Sequence, residues 1–244
     1  MKRILFIIAL FALLTACAPA PRATTGRVVF AITDAAADMG AVSSVKVTVD
    51  SVRVHSEAQG WVTVTSTPQT YDLLALKASG DTVLLADLQL SEGSYQQVRL
   101  DISKVVVTDA DGDHEAKLPS GELKIVGTLD VEANTTSAVT FDFIADESLH
   151  VTGQGQYIMA PVVQFETRTD VDVEVKADKE VEIEGGVVKT NVKVGMDENG
   201  KVGVGLRIRE DVELSIDGGK VKIGGTASAG ARSSAKANAS VSVS

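Results

Sequence analysis

Between Val28 and Ile223 the dominant period of the apolar residues is two, in short runs. Val28, Phe30 and Ile32 alternate with small or polar neighbours, Val45, Val47 and Val49 with Lys46, Thr48 and Asp50. Val98, Leu100 and Ile102 alternate with Arg99 and Asp101, and Val139, Phe141 and Phe143 with Thr140 and Asp142. Successive side chains of a strand point to opposite faces, so this period describes half-buried β-strands; helices would repeat at three and four. Val52 and Val54 carry the opposite parity to Val45–Val49, which places a bulge or strand break at Asp50-Ser51. The runs are short and separated by Gly, Asp, Ser and Pro, the pattern of an all-β, antiparallel β-sandwich. Asp72 to Ala78 has room for at most a turn or two of helix.

Large rings supply much of the buried area of a core, and their distribution suggests a boundary. Trp61, Tyr71, Tyr95, Tyr157 and Phe30, Phe141, Phe143 and Phe165 all precede Thr167, and no aromatic residue follows. A sandwich domain is therefore expected over 26–167 and something different over 168–224. In that second region Val171–Val175, Val181–Ile183, Val192–Met196, Val202–Ile208, Val212–Ile216 and Val221–Ile223 alternate with charged residues and glycine. Gly185-Gly186, Asn199-Gly200 and Gly218-Gly219 sit where tight turns need positive φ, so an antiparallel β-meander of about six strands is expected. Such a sheet has one apolar face to cover, by the sandwich, by itself, or by another copy or partner. The Ala/Ser-rich stretch 225–244 lacks the bulk to form a core and is expected to be a disordered tail.

At the other end, Met1-Lys2-Arg3, the apolar run Ile4–Leu14 and Leu14-Thr15-Ala16-Cys17 form the parts of a secretory signal. Cys17 is the only cysteine, and its position resembles the lipobox of bacterial lipoproteins. Residues 1–16 would be removed as a signal peptide, Cys17 acylated, and 17–25 left as a tether. Several acyl chains on one residue hold a protein to a membrane durably. Ala18 follows the cysteine where an inner-membrane retention signal would be aspartate, so the outer membrane is favoured in a host with two. Without Lys2 and Arg3 the chain has 21 basic and 33 acidic residues, a net of −12, and no run of Lys and Arg. Nucleic acid is an unsuitable partner for that field.

A series of short motifs gives a family resemblance. Ile32-Thr33-Asp34-Ala35, Ser44–Val49 with Gly60-Trp61-Val62, and Tyr71–Leu76 occur in order. Leu84-Leu85-Ala86, Gly93–Leu100, Leu123–Gly127, Phe141-Asp142-Phe143 and Tyr157–Val162 follow. Over about residues 26–165 the chain resembles domain-of-unknown-function family 4382, found in lipoproteins of bacterial and archaeal envelopes. The resemblance implies a β-sandwich envelope domain and supplies no activity or catalytic residue.

Few residues suggest chemistry. Asp109, Asp111 and Asp113 alternate in Asp109-Ala110-Asp111-Gly112-Asp113, a spacing of hard oxygen ligands that could hold calcium. Gly112 is fourth and Ser120 twelfth in that stretch, unlike an EF-hand loop, and Asp-Gly also makes hairpin turns. His55, His114 and His150 lack zinc spacing and are expected at the surface. Asp101 and Asp142 fall on outward parity, where a carboxylate pair could cleave glycosides only if the fold joined them. Trp61 is expected in the core; exposed, it could stack on a sugar ring. No nucleophile elbow or phosphate loop is present. The expectation is a lipid-anchored cell-envelope protein with a binding or structural role and no catalysis. It would act through sheet edges or loops on an envelope protein or polysaccharide, with self-association as the structural alternative and no cofactor beyond the calcium candidate.

Overall fold

Parity in the sequence becomes parity of burial. The computed structural model describes residues 24–35, 39–209 and 212–224; the expected signal peptide (1–16), Cys17, the expected tether through residue 23 and the expected tail (225–244) lie outside the described residues. The chain runs β1 (Thr25–Asp34), β2 (Ser44–Ser56), β3 (Gly60–Thr65), β4 (Gln69–Asp72), α1 (Leu73–Ser79), β5 (Val83–Ser91) and β6 (Gly93–Asp109). It continues with β7 (Gly112–Glu115), β8 (Glu122–Val131), β9 (Thr136–Phe143), α2 (Ala145–Ser148), β10 (Leu149–Val151) and β11 (Tyr157–Met159). The last elements are β12 (Val162–Val175), β13 (Val181–Met196), β14 (Val202–Val204), β15 (Glu213–Asp217) and β16 (Lys220–Gly224).

Among the described residues two six-stranded sheets pack face to face. The first has the order β14-β13-β12-β9-β1-β5. In the second, β4 and β3 lie end to end along β2, β6 follows, and β7 and β8 lie along its far side. The inner faces are those the alternation marked: Val28, Phe30 and Ile32 oppose Val47, Val54, Val98, Leu100 and Ile125, all fully buried. Burying each such side chain contributes about 1.5–3 kcal/mol. The parity flip at Asp50-Ser51 is a bulge, where the β2–β6 register shifts between Val49 and Ser51, so Val49 and Val52 both point inward. Helix α1 fills the expected short segment; the Asp72 carboxylate accepts from the Ala75 N–H and Gly80 ends it at φ 74°.

Among the described strands pairing is antiparallel except between β1 and β9, which run parallel from Arg27 beside Thr136 to Asp34 beside Phe143; a single isolated parallel bridge joins Lys117 to Ile158. This central strand is buried on both faces, Val29 and Ala31 being as inaccessible as Val28 and Phe30. The cover comes from the second region. β12 pairs with β9 as far as Thr169 and then leaves the sheet, still paired with β13. At the point of departure Asp170, Gly185 and Gly186 all take positive φ. The resulting arm crosses the outer face of the first sheet: Arg27 donates to Val173 O (3.2 Å), the Leu84 N–H to Lys179 O (2.8 Å) and the Val181 N–H to Thr82 O (2.7 Å). Val171 and Val181, on the arm itself, are buried.

Two sequence expectations change accordingly. The line drawn after Thr167 falls inside β12, at a bulge between Thr167 and Arg168, and β12–β14 complete the first sheet. The outward side chains of the first sheet on that side, Val29, Ala31 and Ala138, are small and buried. Gly185-Gly186 is a kink within one sixteen-residue strand, not a turn between two. Asn199-Gly200 and Gly218-Gly219 are turns, the latter joining β15 to β16. The sheets also meet along one side, where Thr128 N–H donates to Thr190 Oγ1 (2.8 Å) and Thr167 Oγ1 to Thr128 O (2.6 Å). Gly127 permits that approach, since a Cβ there would lie 2.9 Å from Thr190 and 3.0 Å from Phe165.

Candidate ligand-binding face

The arm covers the first sheet, whereas the outer face of the second carries its own side chains to solvent. Inward Val52, Val54, Val98, Leu100, Leu123 and Ile125 turn Arg53, His55, Gln97, Arg99, Asp101 and Lys124 outward. Register sorts these into rows across the strands. His55 stands between Trp61 and Gln97, Arg53 between Thr63 and Arg99, Arg99 beside Lys124, and Asp101 between Ser51 and Glu122.

Three cations in one row would repel, and the carboxylate row beside them relieves it. Arg53 Nη2 donates to Asp101 Oδ1 (3.1 Å) and Oδ2 (3.0 Å) and to Glu122 Oε2 (3.2 Å), while Arg99 Nη1 donates to the same Glu122 oxygen (2.9 Å). Ser51 Oγ donates to Asp101 as well. At roughly one-third exposure each pair contributes about 0.2–1 kcal/mol, so the network orients side chains more than it stabilises the fold.

Trp61 lies across this network. Gly60, at φ 68°, closes the β2–β3 turn and delivers the indole over the sheet. The Arg99 guanidinium carbon lies 4.2 Å from the ring centroid, that of Arg53 5.7 Å, and the His55 ring 4.9 Å. A guanidinium so placed is attracted by the ring's π-face by about 0.5–2 kcal/mol. The indole remains 39 % exposed, which corrects the expectation of a core tryptophan. Val62 and Val64 turn their side chains toward the core, and that parity leaves Trp61 outside.

The other candidate residues lie apart. Asp109, Ala110, Asp111 and Gly112 form the β6–β7 hairpin turn. Asp109 Oδ2 accepts from Tyr157 OH (2.7 Å), and its Oδ1 accepts from the Asp111 N–H (2.8 Å) and meets His114 Nε2 at 3.0 Å. The Tyr157 hydrogen bond, foremost, holds the Asp109 carboxyl below the ordinary carboxylate range. Asp113 accepts from Thr108 Oγ1 (2.7 Å). The Asp109 and Asp113 carboxylates thus serve the hairpin, Asp111 enters it through its backbone N–H, and no group of three or more His, Cys, Asp or Glu among the described residues is placed to hold a metal. Asp101 and Asp142 are on different sheets, both facing outward, so the fold separates them. Asp142 is half-buried; desolvation raises its pKa, against a hydrogen bond from the Ala35 N–H. His150 is half-buried too, contrary to a surface position, and burial lowers its pKa. Sequence reasoning missed the Arg53–Arg99–Lys124 row because its members come from three strands 25 or more residues apart.

Two packed sheets with one bare, ion-paired outer face define an all-β sandwich domain. Residues 25–161 match the family described as Domain of unknown function (DUF4382), and the chain belongs to that family. The match ends one residue before β12, so the strands completing the first sheet and the arm lie beyond it. No curated protein and no solved structure matches the chain. No helix among the described residues is long and apolar enough to cross a membrane.

Proposed function

We propose that this is a lipid-anchored cell-envelope protein that binds a ligand, without catalysis, through the bare outer face of its second sheet. The observation that carries the reading is Trp61, 39 % exposed above an ion-paired guanidinium layer on the sheet that the arm leaves open. Large exposed rings among oriented charged groups are characteristic of recognition surfaces. Anchoring rests on Leu14-Thr15-Ala16-Cys17, and the outer membrane is the favoured site in a host with two. Envelope proteins and polysaccharides are the partner classes; the net charge of −10, or −12 once Lys2 and Arg3 are removed, disfavours nucleic acid.

Photocrosslinking in intact cells from Thr63, beside Trp61 on the same strand, tests the reading. The expected result is a discrete adduct that is lost with Trp61→Ala and that fractionates with membranes only while Cys17 is intact. Adducts unchanged by Trp61→Ala would refute the face, and membrane fractionation unchanged by Cys17→Ser would refute the anchor. Self-association is a second reading, favoured by Val187 and Val188, 59 % and 46 % exposed on β13. A strictly monomeric protein at high concentration in sedimentation would remove it.

A further inference from the structure

We infer that the Trp61 face binds a glycan carrying isolated carboxylates, a chain in which uronate sugars alternate with neutral ones; this rests on the reading of that face as the binding surface. The argument is an account of what the face has left to offer. Arg99 lies over one face of the indole, so the exposed area belongs to the opposite face and the ring edge. A flat apolar surface of that size suits the C–H face of a pyranose ring.

The polar groups around it are unequal. Asp101 and Glu122 already accept from Arg53 and Arg99. Those contacts use only Nη2 of Arg53 and Nη1 of Arg99, leaving Arg53 Nη1 and Arg99 Nη2 without a protein partner among the described residues. Lys124, exposed and paired in register with Arg99, forms no ion pair with a described residue, and His55 adds a ring N–H. The unused groups are therefore mainly donors, and three cations face two carboxylates. A ligand that complements this surface presents a ring face and acceptors with about one negative charge per site.

The same account sets limits. A neutral glucan can stack on Trp61 but leaves the surplus cation unmatched. A polymer charged on every sugar brings additional carboxylates against Asp101, Glu122 and a chain of net charge −10. Alternating neutral and acidic sugars satisfy both conditions.

The chain has a built-in reporter, since Trp61 is its only tryptophan. The detergent-purified full-length protein is titrated with hyaluronan oligosaccharides, polygalacturonate and dextran while Trp61 emission is followed. Hyaluronan is expected to shift the emission saturably, and dextran and polygalacturonate to bind at least tenfold more weakly. Lys124→Gln, at an exposed position, is expected to lower hyaluronan affinity about 10- to 100-fold, the effect of losing one charge-assisted contact. Arg99→Lys, assayed by calorimetry, is expected to weaken it as well, because an ammonium lacks the planar fork that supports the indole. Equal binding of dextran, unchanged affinity in Lys124→Gln, or no emission change with any of the three polymers would overturn the inference. A Trp61-dependent crosslink in cells alongside such a negative result would preserve the face as a binding surface and redirect it to a protein.

Discussion

The kink that folds the β12–β13 arm can be tested with two neighbouring alanines. Gly185 and Gly186 have nearly the same backbone, φ 68° and 76°, and both would place an L-residue in the left-handed region. That conformation costs about 1–2 kcal/mol for a residue with a Cβ. Their surroundings differ. A Cβ on Gly185 meets nothing within 4 Å, whereas one on Gly186 would collide with Val171 Cγ1 and lie 2.7 Å from Thr169 O and 3.2 Å from Asp170 O. Two of those atoms are backbone and cannot rotate away, so Gly186→Ala carries an overpacking cost of about 1–3 kcal/mol in addition. Gly185→Ala is expected to lower stability by about 1–2 kcal/mol and Gly186→Ala by about 2–5 kcal/mol. At about 2–4 °C per kcal/mol for a chain of this size, the second variant should melt several degrees below the first. Urea unfolding at neutral pH measures both, and hydrogen exchange at the Val181 N–H, which bonds Thr82 O, reports whether the arm itself loosens. Equal losses in the two variants would refute the close-packed kink, because the backbone cost is shared and only the Cβ contacts distinguish them.

Other outcomes follow from single side chains. Burial holds the folded-state pKa of His150 below its ordinary value, so as pH falls through about 6.5 the unfolded chain takes up a proton that the folded one does not, and stability falls. His150→Gln should flatten the decline in urea midpoint between pH 7 and pH 5; an identical slope would show that other groups cause it. Desolvation raises the Asp142 pKa, so its charged form is disfavoured at neutral pH; Asp142→Asn should raise the Tm at pH 7, with the gain shrinking as pH falls through the carboxylate range. On the arm, Asp172 stands opposite Glu184 and Glu174 opposite Glu182, like charges in cross-strand register. Glu184→Lys should stabilise by about 0.2–1 kcal/mol, a gain that 1 M salt largely removes.

Face assignment was legible in the alternation, because burial of every second residue is a local property. The inward valines of β2, the bulge at Asp50-Ser51 and helix α1 all follow from residues within a dozen positions. Partner assignment was not legible. The parallel contact of β1 with β9 joins residues more than a hundred positions apart, and nothing in either run marks the other. Positive φ at Gly185-Gly186 was foreseen, but a kink and a turn require the same residues; the difference lies in whether Val187 continues pairing with Thr169. The candidate face was half legible. Val62 and Val64 already set Trp61 outside, yet the guanidinium layer beneath it exists only once β2, β6 and β8 lie side by side.

The parallel pairing of β1 also determines how the molecule carries load. The first described residue, Thr24, leads directly into a strand flanked along most of its length by β5 on one side and β9 on the other. A pull arriving from the amino terminus is directed along β1, so the rungs of both ladders must slip together. Had the chain begun on an edge strand and been drawn sideways, the same force would open one rung at a time. Under the proposed amino-terminal anchoring, a load on the bound ligand would act in shear at the centre of a sheet, the direction in which a β-structure resists most.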